Sequence, residues 1–449
     1  MTTNIIKSSL KKYSEVITNE IQINNTQILI IYVEKLANLG TFYSFHFKKI
    51  KDTPYDILST EYPGLFLPFE DVNSQNILNK VFDGNIIIVS DNKSYCVPLE
   101  DKPKRGISTS NLDPTNLFAS QESFIEDLKV NIALVRKTIK DPNLLFKEIK
   151  IGQNNENSIY ILGINKETEV LSIAKLYENN KNEIATTINS IAKPIQKNHL
   201  YPITSFTSSV DNFCNALLND RIGIMLSNSP TQMIVPANLT FFSTIKNETD
   251  APNYFLLGVK GLIIFFLLTS IFLLGFFTAM INYNLNSFTL NVLSSIKVSE
   301  RGTTLPMFLE VLLVLIIFEF YRFTTSRSSP GYVQNIIIIV GGLLIGQNLV
   351  FSGLIGTMVL FITALSYLAT YAYTNNLYLI SAISTSRIII VIASYLFGLY
   401  GFFASSFIIL IYLISLNSLD LPYLYPLFPF DFKQFKNFIL PKSKGKKNE

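Results

Sequence analysis

The stretch FLLGVKGLIIFFLLTSIFLLGFFTAMI, Phe255 to Ile281, decides how this chain is read. Its one charge, Lys260, lies near the start, where a long alkyl stem lets the ammonium snorkel to an interface. The run exceeds the roughly 20 apolar residues that a membrane helix needs. Farther on, Gly331 to Ser386 contains no Asp, Glu, Lys or Arg. A soluble domain has no use for such a stretch, because its helices must show water a polar face. Mean hydropathy is +0.31 over the 449 residues, and that average conceals a split at Tyr254.

Charge divides at the same place. From Tyr254 onward there are twelve basic and six acidic residues, a net of +6, which leaves −2 for the rest of a chain whose total is +4. The basic excess therefore speaks of topology and lipid contact, and the slightly acidic first half does not suit nucleic acid. The opening MTTNIIKSSLKKYSEV has no apolar core and does not read as a signal peptide. The first half is accordingly expected in the cytoplasm. Cys96 and Cys214 both fall there and are expected as buried thiols, without a disulfide framework. Trp is absent, while Phe and Tyr number 35 and 22, a composition that points to codon bias before function.

The expected fold class is an α/β cytoplasmic region of two subdomains followed by an α-helical polytopic membrane domain. Residues 1–105 form the first subdomain, with a strand at Ile28–Val33 and a hairpin of Asn85–Val89 with Tyr95–Leu99. Residues 115–250 form the second. Phe124, Leu128, Ile132, Val135 and Ile139 recur at helical spacing, Ser123 and Glu126 fit a capping box, and Pro142 ends the helix. Strands follow at Phe146–Ile151 and Ile159–Ile164, then helices near Asn182–Pro194 and Val210–Asn219. A strand pair, Arg221–Leu226 and Met233–Val235, closes the subdomain. Residues 254–418 form the membrane domain and 419–449 a basic tail. The tail lysines and the unexported first half place both termini in the cytoplasm, so the number of crossings is even. Four crossings result if Pro306–Tyr321 inserts only partly. Six require Arg387 in mid-membrane, which is costly.

Enzyme signals are absent. His46 and His199 lack partners at metal-ligand spacing, and no phosphate loop or nucleophile motif occurs. No cofactor is expected. The candidate functional residues lie in the membrane half. Glu310 and Glu319 sit in an apolar segment, with Arg322 three residues beyond Glu319. A carboxylate among lipid tails costs roughly 2.5–3.5 kcal/mol on insertion scales. Such groups face a wet pore, or else pack against partners, with Glu319 bonded to Arg322. Gly341, Gly342 and Gly346 permit close helix approach. Gln334, Asn335, Gln347 and Asn348 add amides that suit an ion path or an interhelical hydrogen-bond cluster.

In order along the chain, Asn131-Ile-Ala-Leu-Val-Arg136, Asp220-Arg-Ile-Gly-Ile-Met-Leu226, Ser229-Pro230 with Ile234-Val-Pro236, Pro306 with Glu310, Glu319 with Arg322, Val340-Gly-Gly-Leu-Leu-Ile-Gly346, Phe397-Gly-Leu-Tyr-Gly401 and Pro422-Tyr-Leu-x-Pro426 resemble the A subunits of bacterial spore germinant receptors, the GerA family. The likeness spans nearly the whole chain and is weakest over the first 100 residues. Departures include Phe118-Ala-Ser-Gln-Glu-Ser-Phe124, where the family has Gly-Pro-Arg-Glu-Gly-Phe. The resemblance implies a homo-oligomeric ring in the spore inner membrane, a transporter-like B subunit and a lipoprotein C subunit as partners, and release of monovalent cations on sensing a germinant. An accessory channel of the same family and a non-conducting scaffold that docks partner subunits are the alternatives. A secondary transporter is disfavoured by the lack of an internal repeat.

Overall fold

A computed structural model describes residues 6–101, 106–107, 122–151, 157–179, 188–242, 253–283, 303–327, 346–419 and 421–439, apart from residues 8, 11–12, 24–25, 70–72, 91–92 and 197. The chain divides into two compact units. One comprises residues 1–198 and 204–236, the other 199–203 and 237–449.

The first unit holds two five-stranded antiparallel sheets. In the first sheet, β1 (Val16–Ile23), β2 (Thr26–Val33), β3 (Leu67–Pro68), β4 (Ile86–Ser90) and β5 (Ser94–Val97) run in the order β1-β2-β4-β5-β3. The expected strand and hairpin are therefore present. β2 and β4 are nearly continuous runs of β-branched residues, since both of their faces are covered. One core contains Leu29, Ile31, Ile87 and Val89 with Ile77 and Val81 of α1 (Ser74–Phe82). The other contains Ile28, Ile30, Ile86 and Ile88 with Phe42, Leu58 and Phe66.

Helix α2 (Leu128–Thr138) begins later than the periodicity predicts. Asp127, whose side chain accepts from the amides of Lys129 and Val130, is the N-cap, displacing Ser123 from that role. The residues ahead of it are tied down by Asn131, which donates to Ile125 O at 2.6 Å and accepts from Ile125 N at 2.9 Å. Ala133 of α2 belongs to the core of the first sheet. Arg136, three residues on, is fully buried. Its guanidinium lies 3.7 Å from the Phe82 ring centroid and 4.8 Å from that of Phe146, and it pairs with buried Glu15. Arg136 Nη2 also donates to Leu144 O at 2.9 Å. An ion pair taken this far from water stands only because the arginine donors find carbonyls as well.

The second sheet consists of β6 (Leu144–Ile151), β7 (Asn157–Ile164), β8 (Ser205–Thr207), β9 (Ile222–Leu226) and β10 (Gln232–Val235), in the order β8-β10-β9-β7-β6. Helices α3 (Glu167–Asn179) and α4 (Val210–Leu218) cover it. α3 went unread in the sequence, although Val170, Ile173, Ala174 and Tyr177 carry the helical spacing and are all buried. Gly223 of β9 lets Phe213 of α4 come close: a Cβ there would sit 2.1 Å from the ring. Cys96 and Cys214 are buried free thiols.

The second unit is helical: α5 (Asn253–Tyr283), α6 (Met307–Arg327), α7 (Thr357–Tyr373), α8 (Leu377–Ser415) and α9 (Phe432–Ile439), with a short helix at Gly346–Phe351. Among the described residues, α5 and α8 are long and apolar enough to cross a membrane. α8 is not one rod. Gly398 has φ 61° and ψ −139°, a conformation that L side chains rarely adopt, and the helix folds back there. Tyr201 shows the fold-back: its hydroxyl is 2.8 Å from Ser386 Oγ, and its ring centroid is 6.3 Å from that of Tyr412. In a straight helix those two positions would lie about 39 Å apart.

Candidate functional site

Contacts fix the direction of each helix. Arg387 Nε donates to Ser270 O at 2.9 Å, and Tyr283 Oη to Tyr395 O at 3.0 Å, so α5 and the first half of α8 run parallel. Phe308 stacks on Tyr395 at 3.8 Å, while Arg322 Nη1 donates to Ser381 Oγ at 3.0 Å, so α6 runs against them. Gly356 N donates to Glu310 at 2.9 Å and Tyr367 Oη to Glu319 at 2.8 Å, so α7 runs beside α6 in the same direction. α6 thus extends along the bundle beside its neighbours. It leaves at the end where α7 finishes, while the short helix Gly346–Phe351 lies at the end where α7 begins.

Polarity within this unit is inverted. Ser270, Thr278, Thr363, Ser366, Thr370, Ser386 and Ser394 are buried, whereas Phe265, Leu268, Ile316, Phe407 and Ile411 are exposed. Most of these inner hydroxyls are satisfied by helix carbonyls, as Thr363 Oγ1 is by Val359 O at 2.7 Å and Ser366 Oγ by Ser270 O at 3.0 Å, while Ser394 Oγ has no partner among the described residues. That is how helices in an apolar solvent arrange their polar groups.

Glu319, Arg322 and Arg387 form a connected string through Tyr367. Glu319 accepts from Arg322 Nε at 2.8 Å, from Tyr367 Oη at 2.8 Å and from Ser384. The Tyr367 ring faces the guanidinium of Arg387, 4.2 Å away. Arg387 is fully buried and donates to Ser270 O and, at 2.6 Å, to Thr370 Oγ1; its Nη1 has no partner among the described residues. Glu319 and Arg322 retain 24% and 21% side-chain exposure. They border a groove of about 510 Å³ whose other lining includes Leu312, Ile316, Phe320 and Ile388. Glu310 differs: it is 1% exposed and holds the amide of Gly356.

The two glutamates of the sequence reading are thereby separated, one packed and one at a groove. Arg322 meets Glu319 as its spacing suggests. Gly346 and Gln347 open the short helix before α7, and Gln334, Gly341 and Gly342 lie outside the described residues. Lys260, expected to snorkel to an interface, is 1% exposed with its ammonium 4.5 Å from the Phe438 ring centroid. Tyr367, Ser384, Thr370 and Ser270 were not found from sequence. Their only signal was a hydroxyl amid apolar neighbours, shared with many other residues of the same helices.

A family model described as Bacillus/Clostridium GerA spore germination protein matches residues 4–448. The chain belongs to the GerA family. Its relatives include Spore germination protein XA of Bacillus anthracis, 28% identical over 410 residues, covering 88% of this chain and 82% of that protein. Spore germination protein GerQA of Bacillus cereus is 28% identical over 445 residues, covering 96% and 88%. Spore germination protein KA of Bacillus subtilis is 25% identical over 459 residues, covering 96% and 82%. The crystal structure of the N-terminal domain of the A subunit of the Bacillus megaterium spore germinant receptor GerK3 covers 52% of this chain and 93% of that one. Identity is 20% and the TM-score 0.37, too loose a match to carry an argument. The motif-based resemblance is thus borne out, and the role of this GerA-family chain lies in spore germination. Within it, Phe397-Gly-Leu-Tyr-Gly401 is the bend of α8, and the segment holding Glu319 and Arg322 carries the polar string.

Proposed function

We propose that this GerA-family chain is a subunit of an oligomeric, germinant-responsive cation channel in the spore inner membrane. The carrying observation is Glu319, held with Arg322 at the rim of a groove on an outer face that is otherwise apolar. In a ring of identical subunits, one such carboxylate per chain becomes a circle of negative charge, which favours cations. A transporter-like B subunit and a lipoprotein C subunit are the partners, and no cofactor or catalytic step is involved. Both termini face the cytoplasm. In this reading the crossings number six, where the sequence suggested four: α5, α6 (about 31 Å long), α7 and the two halves of α8 supply five, cytoplasmic termini require an even number, and Arg387 is solvated by the protein.

Reconstitution in liposomes with measurement of potassium or sodium flux tests this reading, alone and with the B and C subunits. Cation flux is the expected result, and its absence under both conditions overturns the channel. One observation favours a scaffold that docks partners without conducting: Glu310 and Glu319 both find hydrogen-bond donors within the protomer. A purified ring that assembles with its partners and remains tight to ions supports that alternative.

A further inference from the structure

After α8, the chain carries the sequence LFPFDFKQFKNF, Leu427 to Phe438. Leu427, Phe428, Phe430 and Phe432 are all exposed, with Phe432 at 70%. Asp431 opens α9 by accepting from the amides of Lys433 at 2.9 Å and Gln434 at 3.1 Å. The Gln434 amide first, and then the Tyr425 hydroxyl, hold its carboxyl below the usual carboxylate range. By spacing, Phe432, Phe435 and Phe438 fall toward one side of α9, and Lys433, Gln434 and Lys436 toward the other. Phe438 lies under the ammonium of Lys260, and Phe435 packs on Phe430 with centroids 5.7 Å apart. These contacts anchor α9 beside the first turns of α5, where Tyr254, Phe255 and Leu257 are also exposed.

We infer that α9 and the aromatic segment before it form an interfacial anchor, seated on the cytoplasmic face of the membrane and held by anionic lipid headgroups. The inference rests on the membrane-spanning reading of the helical unit. A short helix with aromatics on one side and lysines on the other lies in the headgroup region, with its rings at the acyl boundary. Charge complementarity selects the lipid. From Asp431 to the last residue there are six lysines against Asp431 and Glu449, and juxtamembrane lysines are drawn to anionic headgroups. The exposed rings continue the apolar outside of α5, so one lipid surface covers both.

The chain has no tryptophan, so an introduced one reports alone. Phe432→Trp, Gln434→Trp and Leu268→Trp full-length proteins are reconstituted in phosphatidylcholine vesicles with and without phosphatidylglycerol. Quenching by acyl-brominated lipid and by aqueous acrylamide is then read. Leu268→Trp, on the exposed side of α5, shows whether the bundle is inserted. The expected result is brominated-lipid quenching at 268 and 432, with acrylamide access at 434, and a stronger effect at 432 when phosphatidylglycerol is present. Adding Lys433→Gln and Lys436→Gln to Phe432→Trp lowers the docked-to-undocked ratio about 30-fold, the equivalent of ~1 kcal/mol per lysine. With 268 quenched by lipid, free acrylamide access at 432 overturns the anchor while leaving the spanning bundle intact. A residue 432 shielded from both quenchers, whatever the headgroup charge, overturns it too, in favour of a protein partner. Loss of lipid quenching at 268 overturns the membrane reading itself.

Discussion

At the residue scale the two glutamates of α6 part company. Glu310 serves Gly356 from a buried position, so Glu310→Gln, which keeps an acceptor, leaves cation selectivity unchanged. Glu310→Ala strands that amide and costs ~1–3 kcal/mol, readable as a lower Tm in detergent. Glu319→Gln removes the charge at the groove and lowers cation flux about tenfold, at the low end of what a focused cluster does for counter-ion concentration. Unchanged flux and selectivity in an assembled Glu319→Gln protein remove this residue from the path. In the first unit, burial pushes the Cys214 thiol from its ordinary 9 up to about 12. A raised thiol pKa means that the unfolded chain ionises first as pH rises. Below pH 9 the thiol is neutral in both states and its contribution is intact. Between pH 9 and about 12 it weakens by ~1.4 kcal/mol per pH unit. Urea titrations of wild type and Cys214→Ala across that window should therefore differ in slope, with the variant flatter. Equal slopes would show that Cys214 is open to solvent.

Helix α8 concentrates the element-scale argument. Its 39 residues read as one long apolar run, and Gly398 lets them form two halves that fold back on each other. A Cβ at Gly398 would lie 2.9 Å from the Tyr283 ring, in a backbone region that already disfavours L residues. Gly398→Ala is expected to cost ~1–3 kcal/mol, seen as a lowered Tm in detergent, and to loosen the Tyr283 hydroxyl from the carbonyls of Tyr395 and Leu396. A variant as stable as wild type argues against the bend. α2 illustrates the complementary case. Its buried face is apolar except for Asn131 and Arg136, and each of those polar groups is matched to backbone partners a few residues away.

For the whole molecule, the fold-back of α8 has a topological consequence. In a cysteine-free background, Asn375→Cys lies between α7 and α8 and Tyr400→Cys just past the bend. Six crossings put position 375 inside and position 400 outside. An impermeant maleimide added to intact vesicles of known orientation labels 400 and spares 375. Labelling of 375 from outside returns the count to four. The same geometry makes the bundle an object in which hydroxyls face inward and phenyl rings outward, so transfer out of lipid or detergent should aggregate it before the first unit unfolds.

What the sequence determined alone was what depends on local spacing and on solvent. The 27 residues from Phe255 to Ile281 need a membrane or a core whatever the rest does. The strands at Ile28 and Ile86 follow from their β-branched runs and the turn between the hairpin strands, and the helix at Val210 from its local sequence. The i,i+3 pairing of Glu319 with Arg322 follows from helix geometry. The start of α2 and the whole of α3 were within reach of the same rules, and capping chemistry and apolar spacing mark both. The tertiary structure decided the rest. Arg387 looked too costly for mid-bundle because its partners, Ser270 O, Thr370 and the Tyr367 ring, come from α5 and α7, and no spacing rule along one helix brings them there. Glu310 and Glu319 were indistinguishable as letters in one apolar segment. They differ because one meets the amide that opens α7 and the other meets Arg322, Tyr367 and Ser384 at the edge of a groove, a matter of which neighbours the packing supplies.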